Sequence, residues 1–228
     1  MNRQNARSNR ALCRRKICRP ALGLPVAFAL WAAGFAGPAL AEVDHSKHLA
    51  APQGAPATPM PIKVSDPTLT NQHGQRVKFR SQALGDRIVI MDFVYTTCTT
   101  VCPVLTALLA QVQARLGERL GQDVAMVSVT VDPVRDTPAR LKAYGAKHRV
   151  SDEWLWLTGP TTTVNDLLKE LDVWAPDFTQ HPSVVMVGDA MTNQWTRLYG
   201  FPSPDAIMAK VDELTLARSN HSPVASGR

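Results

Sequence analysis

The run RIVIMDFVYTTCTTVCPVLTALLAQVQARLGERL, residues 87–120, leaves the chain few ways to fold. Ile88 to Tyr95 is almost continuously apolar and β-branched, the pattern of a strand buried on both faces. Asp92 interrupts it, and reads either as a hydrogen-bonded structural acid or as a proton shuttle for nearby thiols. A short polar loop with Cys98 and Cys102 follows. Pro103 then marks a helix start, where a fixed φ is an advantage and the missing amide proton is not needed. Val104, Leu105, Leu108, Leu109, Val112 and Leu116 recur at helical spacing and predict one apolar face. Two thiols at a helix N-terminus favour thiolate chemistry, because free amides and the helix dipole stabilise an anion there.

The start of the chain reads as a targeting segment. Arg3, Arg7, Arg10, Arg14, Arg15, Lys16 and Arg19 precede an apolar block from Ala21 to Ala36, and Ala39-Leu40-Ala41 has the small-x-small form of a cleavage site. Residues 1–41 are therefore expected to be a signal peptide or an uncleaved anchor. A loose twin-arginine match and a transit peptide are weaker alternatives. Removing this segment changes the charge argument. The whole chain is +6, but residues 42–228 hold 18 Lys and Arg against 19 Asp and Glu, a net charge of −1. No basic stripe with interleaved aromatics is left to suggest nucleic-acid binding. Cys13 and Cys18 go with the leader, so Cys98 and Cys102 are the cysteines of the exported part. A disulfide closing so short a loop adds little stability, which favours a functional pair over a structural one.

Residues 42–63 are rich in Ala and Pro without apolar period and are expected to be a disordered linker. Residues 64–218 are the expected folded domain, and 219–228 a flexible tail. Within the domain, Val64–Phe79 reads as a small hairpin around Asn71–Gln75. Asp123–Val131 and Trp154–Leu157 read as strands. Helices are expected from Asp136 to about His148, Thr163 to Leu171 and Pro204 to Ala217. Ser183–Val187 and Gln194–Tyr199 read as an antiparallel pair turning at Gly188-Asp189. Strands alternating with helices, then a late hairpin and a closing helix, predict an α/β fold with a mixed central sheet covered on both faces. Functional loops of such sheets lie at the carboxyl ends of central strands. Cysteines between the first core strand and the first long helix make the arrangement thioredoxin-like.

The spacing is C-x-x-x-C, one residue longer than the thioredoxin motif, and allows both sulfurs to face one ion. Thiolates select Cu(I), zinc and iron–sulfur clusters, but two cysteines alone close neither a structural zinc site nor a cluster. Two thiolates with one imidazole suit low-coordinate copper. His45 and His48 lie in the linker, His221 in the tail, His73 in the first turn, and His148 at a helix end. His181 precedes an inner strand, and in thioredoxin-like sheets that segment lies against the cysteine loop. Pro182 fits this placement, since the fold commonly has a cis-proline there. A purely structural histidine is the alternative.

Phe93-Val94-Tyr95-Thr96-Thr97-Cys98-Thr99-Thr100-Val101-Cys102-Pro103 resembles the signature of the Sco/SenC family, as do Val129–Pro138 and His181 ahead of Val184–Asp189. The resemblance covers most of Val64 to Leu216. It implies a thioredoxin-fold copper protein tied to cytochrome oxidase assembly, with Cys98, Cys102 and His181 as copper ligands and the Asp132 motif in support. The implied partners are a copper-bearing oxidase subunit, a periplasmic copper donor and a thioredoxin-like reductant, and the implied place is the periplasm. Two departures stand out. Thr99-Thr100 replaces the Pro-Asp of many relatives, and Pro182 replaces a small hydroxyl residue. Trp174 and Phe178 read either as an apolar docking rim or as partial core. The competing function is a thiol–disulfide oxidoreductase, with Cys98 attacking and Cys102 resolving. A peroxidase-like reading is weaker, because related folds place Thr where Tyr95 stands.

Overall fold

The computed structural model describes residues 60–221. The expected leader, the linker up to residue 59 and residues 222–228 lie outside that range. Seven strands form one mixed sheet: β1 (Thr68–Asn71), β2 (Arg76–Lys78), β3 (Ile88–Val94), β4 (Val124–Thr130), β5 (Trp154–Thr158), β6 (Val184–Asp189) and β7 (Gln194–Tyr199). Their order is β2-β1-β5-β4-β3-β6-β7. β3 pairs parallel with β4, β4 parallel with β5, and β6 runs antiparallel between β3 and β7. The hairpin β1–β2 adds to the main sheet through β5 instead of standing apart.

Four helices cover the sheet: α1 (Val101–Leu116), α2 (Pro138–Lys147), α3 (Thr161–Glu170) and α4 (Pro204–His221). Alternation along β3 decides what each covers. Ile88, Ile90 and Val94 meet Leu105, Leu109, Val112 and Leu116 of α1, with Leu141 of α2 and Ile207 and Val211 of α4. Val89, Met91 and Phe93 face the other way, toward Val164, Leu167 and Leu168 of α3. Burying those four α1 side chains contributes roughly 6–12 kcal/mol of gross transfer free energy. Every residue of β3 and β4 is buried, as their apolar runs predict. Thr137 caps α2, its Oγ accepting from the Arg140 amide.

Several expectations need correction. Val104 is half exposed and not part of the α1 core face, whose inner positions include Cys102 and Thr106 instead. Gly188-Asp189 is not a turn but the end of β6, paired with Trp195 and Gln194; the chain turns after it, with Asn193 at φ 55°. Gly188 is there because a Cβ would collide with the Trp195 ring. α4 does not stop at Ala217. Arg218 is helical and donates from Nε and Nη2 to the buried Asp189 carboxylate, so the helix runs on to His221. At the other end, Met60 bridges Trp195 of β7 and Ile62 is buried, so order begins before residue 64. The isomer of Pro182, which the sequence leaves open, is trans, as is every peptide bond among the described residues.

Candidate metal and thiol site

β3 ends at Val94 and delivers the chain to a tight turn, in which the Cys98 amide donates to the Tyr95 carbonyl at 3.1 Å. α1 then starts at Val101, two residues before Pro103, so Cys102 lies inside its first turn. Thr100 precedes the helix without any side-chain capping bond. The Cys98 sulfur does that work, accepting from the Cys102 amide at 3.3 Å. Both cysteines are free, and only 7% and 3% exposed. Cys98 is the slightly more open of the two.

The two thiols differ sharply. Burial acts to raise the Cys98 pKa, but bonds from the Cys102 amide and side chain, the Thr100 amide and the Tyr95 phenol outweigh it and bring the thiol down from 9.0 to about 7. Burial dominates at Cys102, and the neighbouring Cys98 and Asp92 push its pKa further up. One sulfur is therefore about half thiolate near neutrality, while the other keeps its proton.

His181 follows a one-turn 3-10 segment, Phe178–Gln180, whose start is capped by Asp177. Its Nδ1 lies 3.1 Å from the Pro182 carbonyl oxygen. A carbonyl only accepts, so Nδ1 carries the proton and the Nε2 lone pair is left for another partner. Burial also lowers the His181 pKa and keeps the ring neutral. Its ring sits edge-on to Tyr95, centroids 6.1 Å apart at 83°. Among the described residues, no group of three His, Cys, Asp or Glu is close enough to hold a metal ion as it stands. The structure thus brings His181 beside the cysteine loop through Tyr95, without closing the three donors into one cluster. The donors present, one thiolate, one thiol and one neutral imidazole, are of the kinds that suit copper.

The other histidines whose side chains are described lie elsewhere. His73 is in the β1–β2 turn, 3.4 Å from Asp152, and His148 ends α2 against the Tyr144 ring. The expected rim splits in two. Trp174 is 39% exposed beneath Lys169, whereas Phe178 packs on the core and edge-on to Tyr95 at 5.1 Å.

Two supports were not legible in the chain. Asp136, not Asp132, is the acid that reaches the cysteine loop. Its buried carboxylate accepts from the Thr96 amide and hydroxyl and from the Thr130 hydroxyl. Asp132 pairs instead with Arg135 at 3.0 Å. The motif around Val129–Pro138 was visible, but which of its two acids turns inward depends on the backbone turn after β4. Tyr95 is the second, noted beforehand only for what it is not.

The model of the SCO1/SenC family matches residues 57–215. A SCO1 protein homolog of Bacillus subtilis is 37% identical over 102 residues, 44% of this chain and 51% of that protein. A protein of Stutzerimonas stutzeri, named as a candidate copper binder, is 30% identical over 103 residues, 45% of this chain and 48% of its own length. The chain thus spans about half the length of the curated relatives it matches. Among solved structures it is similar to BsSco, described with a disulfide switch and as a member of the Sco family of cytochrome c oxidase assembly proteins. That likeness has a TM-score of 0.59 at 28% identity, covering 70% of this chain and 97% of the other. The thioredoxin-like sheet, the dithiol at the start of α1 and the match across residues 57–215 agree: the chain belongs to the SCO1/SenC family.

Proposed function

We propose that this chain is an exported copper chaperone. It holds copper as cargo between the Cys98 and Cys102 sulfurs and the His181 imidazole, and delivers it in the periplasm to the copper-bearing subunit of a cytochrome oxidase, at the CuA centre. What supports the reading is a thiolate-prone Cys98 with a second thiol one turn on, and a neutral imidazole whose ring contacts Tyr95 of the same loop, the three donors not closed into one cluster. Family membership and the names of the two relatives point the same way. Three donors from two separate segments form a site that can take up an incoming ligand before losing an old one. A periplasmic copper donor loads the site and a thioredoxin-like reductant keeps the dithiol reduced. Membrane contact comes through the leader or the partner; no helix among the described residues is long and apolar enough to cross a membrane.

The test is to load the reduced chain with Cu(II) and follow the sulfur-to-copper charge-transfer bands. Intense bands are expected, lost in Cys98→Ser and strongly weakened in His181→Ala. Absence of bands in the parent chain, with Cu(I) affinity no better than that of Cys98→Ser, would sink the reading.

The asymmetry of the thiols favours a second activity on the same residues, disulfide reduction. Cys98 thiolate attacks one sulfur of a partner disulfide and releases the other as a thiolate. Cys102 then attacks Cys98, passing its proton to the second partner sulfur. The partner leaves with one thiolate and one thiol and this chain with a Cys98–Cys102 disulfide, which a thioredoxin-like dithiol reduces. Reduction that needs both cysteines but not His181 separates this activity from copper delivery.

A further inference from the structure

Acidic residues are missing from two stretches beside the dithiol. No Asp or Glu occurs between Asp92 and Glu118 or between Asp136 and Asp152, so the cysteine loop, α1 and α2 carry none. The second stretch holds Arg140, Lys142, Lys147 and Arg149. All four are exposed, and among the described residues none of them is in an ion pair. Charge is therefore segregated. Outside residues 137–150, the span 42–228 has 14 Lys and Arg against 19 Asp and Glu, a net charge of −5. The acids at the borders of the two helices do not reach this face. Asp132 pairs with Arg135, Asp136 is buried on Thr96 and Thr130, and Asp205 pairs with Arg115. Glu118, Asp152 and Glu153 come only past the helix ends.

The two helices run side by side from the same end. Asp136, just ahead of α2, holds Thr96 of the cysteine loop. Farther along, the Tyr144 and Thr106 hydroxyls meet at 3.3 Å, and Gln113 of α1 accepts from the Ser151 amide at 2.7 Å. The basic ridge thus starts beside the dithiol and follows α1 away from it. At the dithiol end the exposed rim is uncharged, with Thr97, Thr99, Thr100 and Val104. We propose that this face docks an acidic protein surface, the flank of the partner site that meets Cys98 and Cys102. Unpaired cations on an otherwise negative domain attract such a surface and turn it toward the loop during approach. A lipid surface fits less well. The exposed residues between the cations are Ala139, Ala143 and Ala146, with no large apolar side chain to enter a bilayer. That the docked protein is the one served by the dithiol rests on the functional reading above; the docking itself does not.

The experiment titrates the reduced, isotope-labelled chain with a synthetic Glu-Ser repeat peptide, with its Gln-Ser counterpart and with phosphatidylglycerol vesicles. Amide NMR shifts are read at about 20 mM and about 300 mM salt. The acidic peptide alone is expected to move the amides of α2 and of residues 97–104, and high salt to abolish the effect. Arg140→Glu with Lys142→Glu is expected to weaken binding at these amides at least about tenfold. Arg76→Glu with Lys78→Glu makes the same change in net charge on exposed β2, at the far edge of the sheet, and is expected to cost less than about threefold. The leader's cations are common to every variant and cancel. Should the reversed chain fail to fold, Arg140→Gln with Lys142→Gln is expected to lose binding in the same direction. No shift at α2, shifts from both peptides alike, or equal losses in the two paired variants overturns the proposal. Shifts at α2 from the vesicles but not from the acidic peptide overturn it in favour of a lipid surface. Docking by a chain that shows no copper bands upholds the face and removes the functional reading alone.

Discussion

Asp92→Asn should make this protein more stable at alkaline pH and flatten its response to pH. Asp92 lies near the end of β3, on the strand face covered by α1, and is 1% exposed. Oδ1 accepts from the Ser128 hydroxyl at 2.5 Å, and that hydroxyl accepts from Trp154 Nε1 at 2.9 Å. Oδ2 has no partner. Burial therefore raises the carboxyl from 3.8 to about 7, with Ser128 opposing only in part. A raised carboxyl favours folding while it stays protonated, so its contribution is complete below about pH 4. It is lost as the pH rises through about 7, because the unfolded carboxyl ionises first. A shift of about 3 pK units at 1.36 kcal/mol each makes the loss about 4 kcal/mol, or about 1.4 kcal/mol per pH unit between those limits. Asparagine keeps the Ser128 contact and removes the ionisation. Its own unpartnered amide adds a pH-independent penalty of about 1–3 kcal/mol, an offset rather than a slope. Cys98 titrates too, with opposite sign between about pH 7 and 9, but it is common to both proteins and cancels in the difference. The assay is urea unfolding of both reduced proteins from about pH 4.5 to 8.5. Parallel stability profiles over that range would refute the claim that Asp92 is buried with a carboxyl it can hardly ionise.

Two further outcomes follow from the site. Iodoacetamide labelling, resolved by mass spectrometry, should reach half its maximal rate at Cys98 near pH 7 and leave Cys102 unmodified until strongly alkaline pH; a shared midpoint near 9 would contradict the asymmetry. Asp136→Ala releases one amide and two hydroxyls that now bond to a buried carboxylate, and should lower stability by about 3–5 kcal/mol in urea unfolding, a loss under about 1 kcal/mol being incompatible with the clamp.

Much of this architecture was legible because local and tertiary signals coincide. The apolar runs of β3 and β4 are buried at every residue, and Thr137-Pro138 both reads and acts as a helix start. Misreadings came where one residue type serves two purposes. Gly188 resembles a turn residue, but its missing side chain makes room for Trp195 across the hairpin. Val104 has the spacing of a core residue, but α1 is rolled so that Cys102 and Thr106 face inward. Arg218 looked like the start of a polar tail, and only the distant Asp189 explains why the helix continues. The cysteines and His181 were recognisable as candidates from their setting and family motifs. The Asp136 clamp and the contacts of Tyr95 were not, since each depends on how a loop folds back and not on any periodic pattern.

The sulfur that caps α1 has a consequence for how this surface is read by others. The Thr100 hydroxyl makes no capping bond at the helix entrance. The Cys102 amide is bonded to the Cys98 sulfur, so the charge and bonding of that sulfur bear directly on the first turn of α1. Val104, in that same turn, is half exposed and faces outward. The chemical state of a nearly hidden atom is thereby written into the backbone of a turn that a docking protein can touch.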